Sequence, residues 1–240
     1  MRWFKRKRKF WPAESDPGQP KTLYEFDADF HKRYEAAMKA VNAVGDFPRR
    51  RMRFYALARA AEQASKVPGN ACEVGCFRGL SAYIAADVFR AAGKKLTFHI
   101  CDSFEGLSAP TSNDREQGNE PEVDIKPGAY ACSENEVRRH LAPFDFFQFH
   151  KGWIPAPFKK LENERFCYTH VDVDLFDPTR DAIAFLWPRI NPGGVMVLDD
   201  YGGMNYPGAR RAIDSFFAKR SDAVVIDQPA GNAIVVKHSP

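Results

Sequence analysis

The feature that most constrains the fold is a pair of apolar runs, 170–177 and 193–202, that each lead into carboxylates. The first reads His-Val-Asp-Val-Asp-Leu-Phe-Asp, and the second reads Gly-Gly-Val-Met-Val-Leu-Asp-Asp-Tyr-Gly. Such runs, bounded by turn residues, are typical of strands buried on both faces of a parallel sheet. Between them, Asp177-Pro178 predicts a helix start, and 191–194 (Asn-Pro-Gly-Gly) predicts its end. The unit is therefore a strand–helix–strand crossover of right-handed sense.

Four carboxylates, those of Asp172, Asp174, Asp199 and Asp200, fall at the ends of these two strands. Open α/β sheets bind ligands at the carboxyl ends of their strands, so we expect the four side chains to lie close together. Crowded carboxylates repel one another, and a hard divalent cation relieves that repulsion. Helix capping is the competing explanation: it is preferred for Asp177 and stays open for Asp174. The metal interpretation is favoured for Asp172, Asp199 and Asp200.

The remaining pattern alternates strands with helices and ends in a hairpin. This order predicts an α/β protein of Rossmann-like class I methyltransferase fold: a seven-stranded, mostly parallel sheet with an antiparallel last strand and helices on both faces. The predicted strands are 71–74, 96–101, 146–149, 166–173, 195–198, 223–227 and 232–236. The predicted helices are 23–44, 49–66, 80–92, 133–141 and one that starts at Pro207.

Three regions are expected along the chain: a basic aromatic tail and linker (1–22), N-terminal helices that cap a cofactor site (23–68), and a catalytic domain (69–240). Residues 1–11 carry six Lys and Arg and no acid, which leaves 29 bases against 31 acids elsewhere, a net charge of −2. A nearly neutral body argues against nucleic acid as a partner. The tail is either a disordered, solvated segment or a weak peripheral contact with an anionic membrane.

Cysteine usage and hydropathy predict a cytoplasmic protein. No apolar run approaches the roughly 20 residues that span a bilayer, and the amino terminus lacks the apolar segment of a secretory signal. Cys72, Cys101 and Cys167 fall in predicted strands and are expected to be buried thiols of a reducing compartment. A homo-oligomer stays open. The Arg49–Arg53 cluster is interpreted as a solvated helix face.

A glycine-containing turn follows the first strand, with the pattern Glu73-x-Gly75-x-x-x-Gly79. The dinucleotide fingerprint requires a glycine where this chain has Phe77, so close approach to a pyrophosphate is hindered. An acid before the turn suits a cationic ligand, and Glu73 is expected near a sulfonium. Asp102 ends the second strand, where a carboxylate accepts ribose hydroxyls. Together with the terminal hairpin, these features indicate S-adenosylmethionine as the cofactor.

Several segments resemble the macrocin O-methyltransferase family, over roughly residues 46 to 237. They are 73–81, 102–107, 151–153, 170–177, 193–202 and 207–212. The resemblance implies S-adenosylmethionine- and Mg²⁺-dependent methylation of a sugar hydroxyl in a small-molecule acceptor. The chain is more distantly similar to the catechol and caffeoyl-coenzyme A O-methyltransferases, whose metal ligands match Asp172, Asp199 and Asp200.

The positions expected to bind the cofactor lie in the first turn, at the end of the second strand, in the 151–153 turn and in the Asp-x-Asp strand. They are Glu73, Gly75, Cys76, Phe77, Gly79, Ser81, Asp102, Ser103, Trp153, Asp172 and Asp174. The long acidic stretch 105–124, which contains Pro and Gly, predicts a lid or binding loop.

The catalytic base is left open between Asp172, His170 and Lys151. The catechol-type relatives carry a lysine three residues after the first metal ligand, where this chain has Leu175. A histidine within a strand is alternatively a hydrogen-bonded core residue. Two other functions stay open: methylation of a catechol-like or other small-molecule hydroxyl, and non-catalytic binding of S-adenosylmethionine. The glycine spacing disfavours a dehydrogenase.

Overall fold

A seven-stranded sheet forms the centre of the protein, in the strand order β3-β2-β1-β4-β5-β7-β6. The computed structural model describes residues 23–115, 124–203 and 205–239. The strands are β1 Asn70–Val74, β2 Phe98–Asp102, β3 Phe147–Lys151, β4 Phe166–Val171, β5 Ile190–Leu198, β6 Ala223–Asp227 and β7 Ala233–Lys237. The helices are α1 Leu23–Phe26, α2 Ala28–Ala40, α3 Pro48–Ala64, α4 Leu80–Ala91, α5 Glu134–His140, α6 Phe176–Leu186 and α7 Pro207–Phe217.

Strand direction confirms the predicted fold class. Strands β1 to β5 pair in parallel, and β7 runs antiparallel to both of its neighbours, β5 and β6. Successive residues of a strand point to opposite faces, so the central strands feed two separate cores. One core packs against helices α2 to α5, and the other packs against α6 and α7. Cys72, Cys101 and Cys167 are buried in these cores as free thiols, as the sequence predicts.

The predicted helix 23–44 is wrong in its extent: the helix is interrupted at Asp27, and the second part, α2, ends at Ala40. The Asp27 side chain accepts a hydrogen bond of 2.8 Å from the backbone N–H of Phe30 and so caps α2. A side chain that bonds the backbone in this way starts a new helix rather than continuing the old one.

The prediction that Asp177 caps the crossover helix is also wrong. Helix α6 begins at Phe176, so Asp177 lies within its first turn and pairs with Arg180 at 2.6 Å. The backbone N–H of Phe176 instead donates to Oδ1 of Asp114, 2.7 Å away, which belongs to the loop after β2. The segment 191–194 is not a turn after the helix but the irregular first half of β5, whose register against β4 shifts there.

Within the described ranges, no helix combines the length and the apolar character needed to span a membrane. The tail 1–11 and the linker to residue 22 lie outside the described residues, as does the 116–123 part of the predicted lid loop.

Candidate active site

A cavity of about 480 Å³ lies at the carboxyl ends of the parallel strands. Its walls are built by residues just after β1, β3, β4 and β5, by the end of β2, and by the loops beyond them. Among the residues that line it are Arg53, Gly75, Phe77, Asp102, Ser103, Tyr130, Trp153, Asp172, Asp174, Asp177, Asp200 and Tyr206. The sheet edge at which the sequence places a ligand is therefore the edge that carries the cavity.

The turn after β1 can be built only with glycine at position 75. Gly75 has a φ of +80°, and a Cβ atom there would lie 1.9 Å from the backbone oxygen of Asp172. Glycine lets the β1 turn approach the end of β4 this closely. Gly79, with a φ of +87°, then opens helix α4. The result is a backbone cradle at the cavity wall, formed where a side chain would otherwise fill the space.

Asp102 is held at the cavity edge by two backbone amides. Its Oδ2 accepts from the N–H of Cys76 at 2.6 Å, and its Oδ1 accepts from the N–H of Phe104 at 2.7 Å. Each carboxylate oxygen can accept a further hydrogen bond. The arrangement fits a ligand with two neighbouring hydroxyls, as in a ribose. The neighbouring residue Ser103 also lines the cavity and donates to the Gly106 carbonyl at 3.2 Å.

Three carboxylates meet on the cavity wall, those of Asp172, Asp174 and Asp200. One oxygen of each lies within 4.8 Å of the others. Asp174 and Asp200 have φ angles of 59° and 57°, in the left-handed region that non-glycine residues rarely adopt. Strain of this kind persists where surrounding structure enforces it, and it concentrates at functional sites.

Burial and mutual repulsion shift these carboxyl groups toward the neutral form. Burial, followed by the charges of Asp199 and Asp200, raises the pKa of Asp172. Burial, followed by the charge of Asp172, raises the pKa of Asp174 to about 7. The pKa of Asp200 is raised by burial and by Asp199. A cation among these oxygens would favour their charged forms, so the donor set fits a divalent metal ion.

Asp199, an expected metal ligand, is oriented differently from its neighbour Asp200. Its side chain is buried, and its Oδ2 lies 2.9 Å from Nη1 of Arg53. Its Oδ1 is buried without a protein hydrogen-bond partner. Asp199 shares a second group of closely spaced ligand atoms with His170 and Asp172. Among the described residues, Asp172 is thus common to both groups, whereas Asp199 and Asp200 fall in different ones.

Of the three expected bases, only Asp172 lines the cavity. His170 is buried, and its Nδ1 lies 2.6 Å from Oε1 of Glu73, which is itself buried. Glu73 was expected near a sulfonium, but it faces His170 and does not line the cavity. The side chain of Lys151 is exposed, and its Nζ lies 3.4 Å from Glu105.

The other expected cofactor residues divide into two sets. Phe77 and Trp153 line the cavity, and these residues are 46% and 44% exposed. Cys76 contributes its backbone N–H to Asp102, whereas its thiol is buried. Gly79 and Ser81 belong to the start of α4 and do not line the cavity.

Several cavity residues were missed from the sequence. Arg53 belongs to a cluster that was interpreted as solvated, yet its guanidinium reaches Asp199, so that interpretation is wrong for Arg53. Its position beside the buried Phe54 in α3 was the available signal. The hydroxyls of Tyr130 and Tyr206, which both line the cavity, are hydrogen-bonded at 3.0 Å. No local sequence pattern predicts a contact between residues so far apart in the chain.

Comparison with known proteins places the chain in a family. A family model described as Macrocin-O-methyltransferase (TylF) matches residues 20–229. The demethyldecarbamoylnovobiocin O-methyltransferase of Streptomyces niveus is 27% identical over 160 residues, 65% of this chain and 60% of that protein. The 8-demethyl-8-(2,3-dimethoxy-alpha-L-rhamnosyl)-tetracenomycin-C 4'-O-methyltransferase of Streptomyces olivaceus is 26% identical over 181 residues, 73% of this chain and 68% of that protein.

Solved structures show the same architecture. The O-methyltransferase NovP superposes with a TM-score of 0.65 at 25% identity, over 78% of this chain and 80% of NovP. The calicheamicin methyltransferase CalS11 superposes with a TM-score of 0.63 at 15% identity, over 92% of this chain and 99% of that one, which shows a shared fold. With a family model that covers residues 20–229, this chain belongs to the macrocin O-methyltransferase family.

Proposed function

We propose that this protein is an S-adenosylmethionine-dependent O-methyltransferase that acts, with Mg²⁺, on a hydroxyl of a sugar or glycoside. The observation that carries the proposal is the meeting of Asp172, Asp174 and Asp200 on the wall of a cavity that also contains the Gly75 turn and Asp102. Relatives whose names specify O-methylation of antibiotics, among them a rhamnosyl derivative, support the acceptor class.

The cofactor would be held by the cradle at Gly75, by Asp102 and by the rings of Phe77 and Trp153. When bound, S-adenosylmethionine supplies an electrophilic methyl group to this chemistry. Asp102 accepts hydroxyl donors at the cavity edge because its carboxylate is already oriented by the amides of Cys76 and Phe104. The helices of residues 23–68 cap this cavity in our proposal, with Arg53 of α3 reaching its wall.

The metal would be held by Asp172 and Asp200, together with Asp174 or Asp199. Magnesium, when bound, supplies positive charge that lowers the pKa of an alcohol. Asp172 is the base in this scheme, because among the three expected bases it alone reaches the cavity. Its carboxylate takes the proton of the acceptor hydroxyl, and the cavity walls orient that oxygen for attack.

The proposal also covers the cellular compartment of the enzyme and a second class of acceptor. Five free, buried cysteines fit a reducing compartment, so we place the enzyme in the cytoplasm. A catechol-like acceptor is a second candidate, since a metal site can also bind vicinal aromatic hydroxyls. The membrane contact of residues 1–11 and a homo-oligomer stay predictions.

The test is a methyl-transfer assay with labelled S-adenosylmethionine over glycosides, free sugars and catechols, with Mg²⁺ and then with chelator. We expect transfer to glycosides, at least a hundredfold loss in chelator, and a similar loss in Asp200→Asn, if metal activation supplies several kcal/mol. Asp145→Asn is the matched control, because Asp145 is an exposed acid between α5 and β3 that does not line the cavity. Transfer only to catechols would reassign the acceptor, and full activity in chelator would remove the metal from the scheme.

Cofactor binding is tested separately from turnover. S-adenosylhomocysteine should raise the melting temperature of the wild type, and Asp102→Ala should largely abolish that shift. A wild-type protein that binds the cofactor but transfers a methyl group to no acceptor would indicate the non-catalytic alternative. A larger shift with a nicotinamide dinucleotide would contradict the cofactor assignment.

A further inference from the structure

Arg53 connects the N-terminal helices to the carboxylates of the sheet edge. It lies in the second turn of α3, and its Nη1 is 2.9 Å from Oδ2 of Asp199. Its guanidinium lies 5.2 Å from the centre of the adjacent Phe54 ring, and its side chain is 33% exposed. One end of this side chain is therefore packed within the protein, while the residue still lines the cavity.

The charge around Arg53 is strongly one-sided. The carboxylates of Asp199, Asp172, Asp200 and Asp174, in that order of effect, raise the pKa of its guanidinium. Among the described residues that line the cavity, Arg53 is the only lysine or arginine. In the part of the chain that the structure describes, the cavity wall thus offers these acids one cationic side chain, that of Arg53.

We propose that Arg53 is a built-in counter-ion: in the metal-free protein it pairs with Asp199 beside Asp172, Asp174 and Asp200, and it competes with the divalent cation for these carboxylates. This inference rests on the metal site of the proposed function. Arg53 contacts Oδ2 of Asp199, while Oδ1 of the same carboxylate is buried without a protein hydrogen-bond partner. Asp172 belongs to both sets of closely spaced ligand atoms, the one with Asp199 and the one with Asp200. A positive charge this close opposes a second one, so metal entry weakens the hold of Arg53 on Asp199.

An orienting arginine and a competing arginine predict opposite changes in metal affinity when the arginine is removed. An arginine that merely orients a ligand supports metal binding, and loss of such an outer partner typically weakens metal affinity by roughly 10- to 100-fold. A competing counter-ion weakens metal affinity while it is present, so its removal tightens binding. Direct metal titration therefore separates the two roles without any assay of turnover.

The experiment is a calorimetric titration of the intact protein with Mn²⁺ alone, without cofactor or acceptor. We expect Arg53→Met to bind Mn²⁺ about tenfold more tightly than the wild type, and Arg53→Lys, which keeps the charge, to stay near the wild-type value. Arg59→Met is the matched control, because Arg59 lies on the same helix and pairs with Glu62 instead. In chelator, Arg53→Met should melt at a lower temperature than the wild type, and saturating Mn²⁺ should reduce that difference.

The outcomes are distinct. Weaker binding in Arg53→Met would make Arg53 a positioning residue and overturn the inference, as would unchanged binding. A wild type that binds no Mn²⁺ would overturn the inference together with the metal part of the proposed function, whereas methyl transfer would survive as a metal-independent activity. If Arg53→Met does not fold, Mg²⁺ titration of the wild type should shift the guanidinium ¹⁵N resonance that is missing from Arg53→Lys, and no shift would overturn the inference.

Discussion

His170 and Glu73 face each other across paired positions of β4 and β1, with Nδ1 of the imidazole 2.6 Å from Oε1 of the carboxylate. Both side chains are buried. The pair links two central strands directly beneath the turn that carries Gly75. Held in this way, His170 is the partner of a buried acid, and it does not line the cavity.

Removal of His170 should therefore affect stability before chemistry. His170→Ala leaves the buried Glu73 side chain without its hydrogen-bond partner, and an unsatisfied buried polar group typically costs about 1–3 kcal/mol of unfolding free energy. Urea unfolding measures this loss. The double variant Glu73→Gln/His170→Ala should recover part of it. An unchanged unfolding free energy, combined with a large drop in turnover, would return His170 to the list of catalytic bases.

A second histidine pair predicts acid sensitivity. His99 and His150 are buried and stacked, with Nδ1 of His99 3.0 Å from Nε2 of His150. Burial lowers the pKa of both, and with the charges of His99 and Lys160 it lowers the pKa of His150 to about 4, against an opposing effect of Glu164. The unfolded chain then binds more protons than the folded protein below pH 6.5, so stability falls from about pH 6.5 toward pH 4.

This prediction is tested by urea unfolding at pH 7.5 and pH 5.0. His150→Phe removes one titrating ring and should lose less stability between the two values than the wild type. Equal losses in both proteins would show that the histidine pair does not set the acid limit.

Alanine substitutions at two glycines distinguish the effect of a steric clash from the effect of backbone strain. Gly75 and Gly93 both have positive φ angles, but a Cβ atom meets the Asp172 carbonyl at 1.9 Å in the first case and nothing within 4 Å in the second. Gly93→Ala should cost about 1 kcal/mol, the conformational penalty alone. Gly75→Ala should be considerably more destabilising and should abolish the thermal shift by S-adenosylhomocysteine, because the β1 turn must move away from β4. Equal effects in differential scanning fluorimetry would contradict the steric argument.

Asp114 fastens the loop after β2 to the start of α6. It is 2% exposed, and its two oxygens accept from the backbone N–H groups of Phe176 and Thr111, each at 2.7 Å. Asp114→Ala removes both acceptors and should cost about 1–2 kcal/mol, as for loss of a helix cap. Turnover should fall because the loop borders the cavity. Asp145→Ala is the matched control, and indistinguishable stabilities would contradict the anchoring role.

The sequence predicted what local pattern determines. Apolar runs predicted the strands and turn residues predicted their ends, because hydrophobic periodicity and turn formation depend on residues that are neighbours in the chain. The gathering of Asp172, Asp174 and Asp200 followed from strand direction alone, since parallel strands end at a common edge.

What escaped prediction depends on contacts between distant segments. The cap of α6 comes from Asp114, 62 residues before the helix starts, and it leaves Asp177 free to lie in the first turn. Asp199 turns toward Arg53 because a helix of the N-terminal region packs over β5. Neither arrangement is encoded in the spacing of the residues that it involves.

The position of β7 sets a limit on when this protein can become functional during its synthesis. Of the seven described strands, β7 is the last to leave the ribosome, yet it lies inside the sheet, between β5 and β6. Until it arrives, β5 has one open edge, and the carboxylates that follow β5 lack a fixed support. Nascent chains arrested before residue 233 should thus bind chaperones through that edge, and cofactor-binding competence should appear abruptly, only after β7 has emerged.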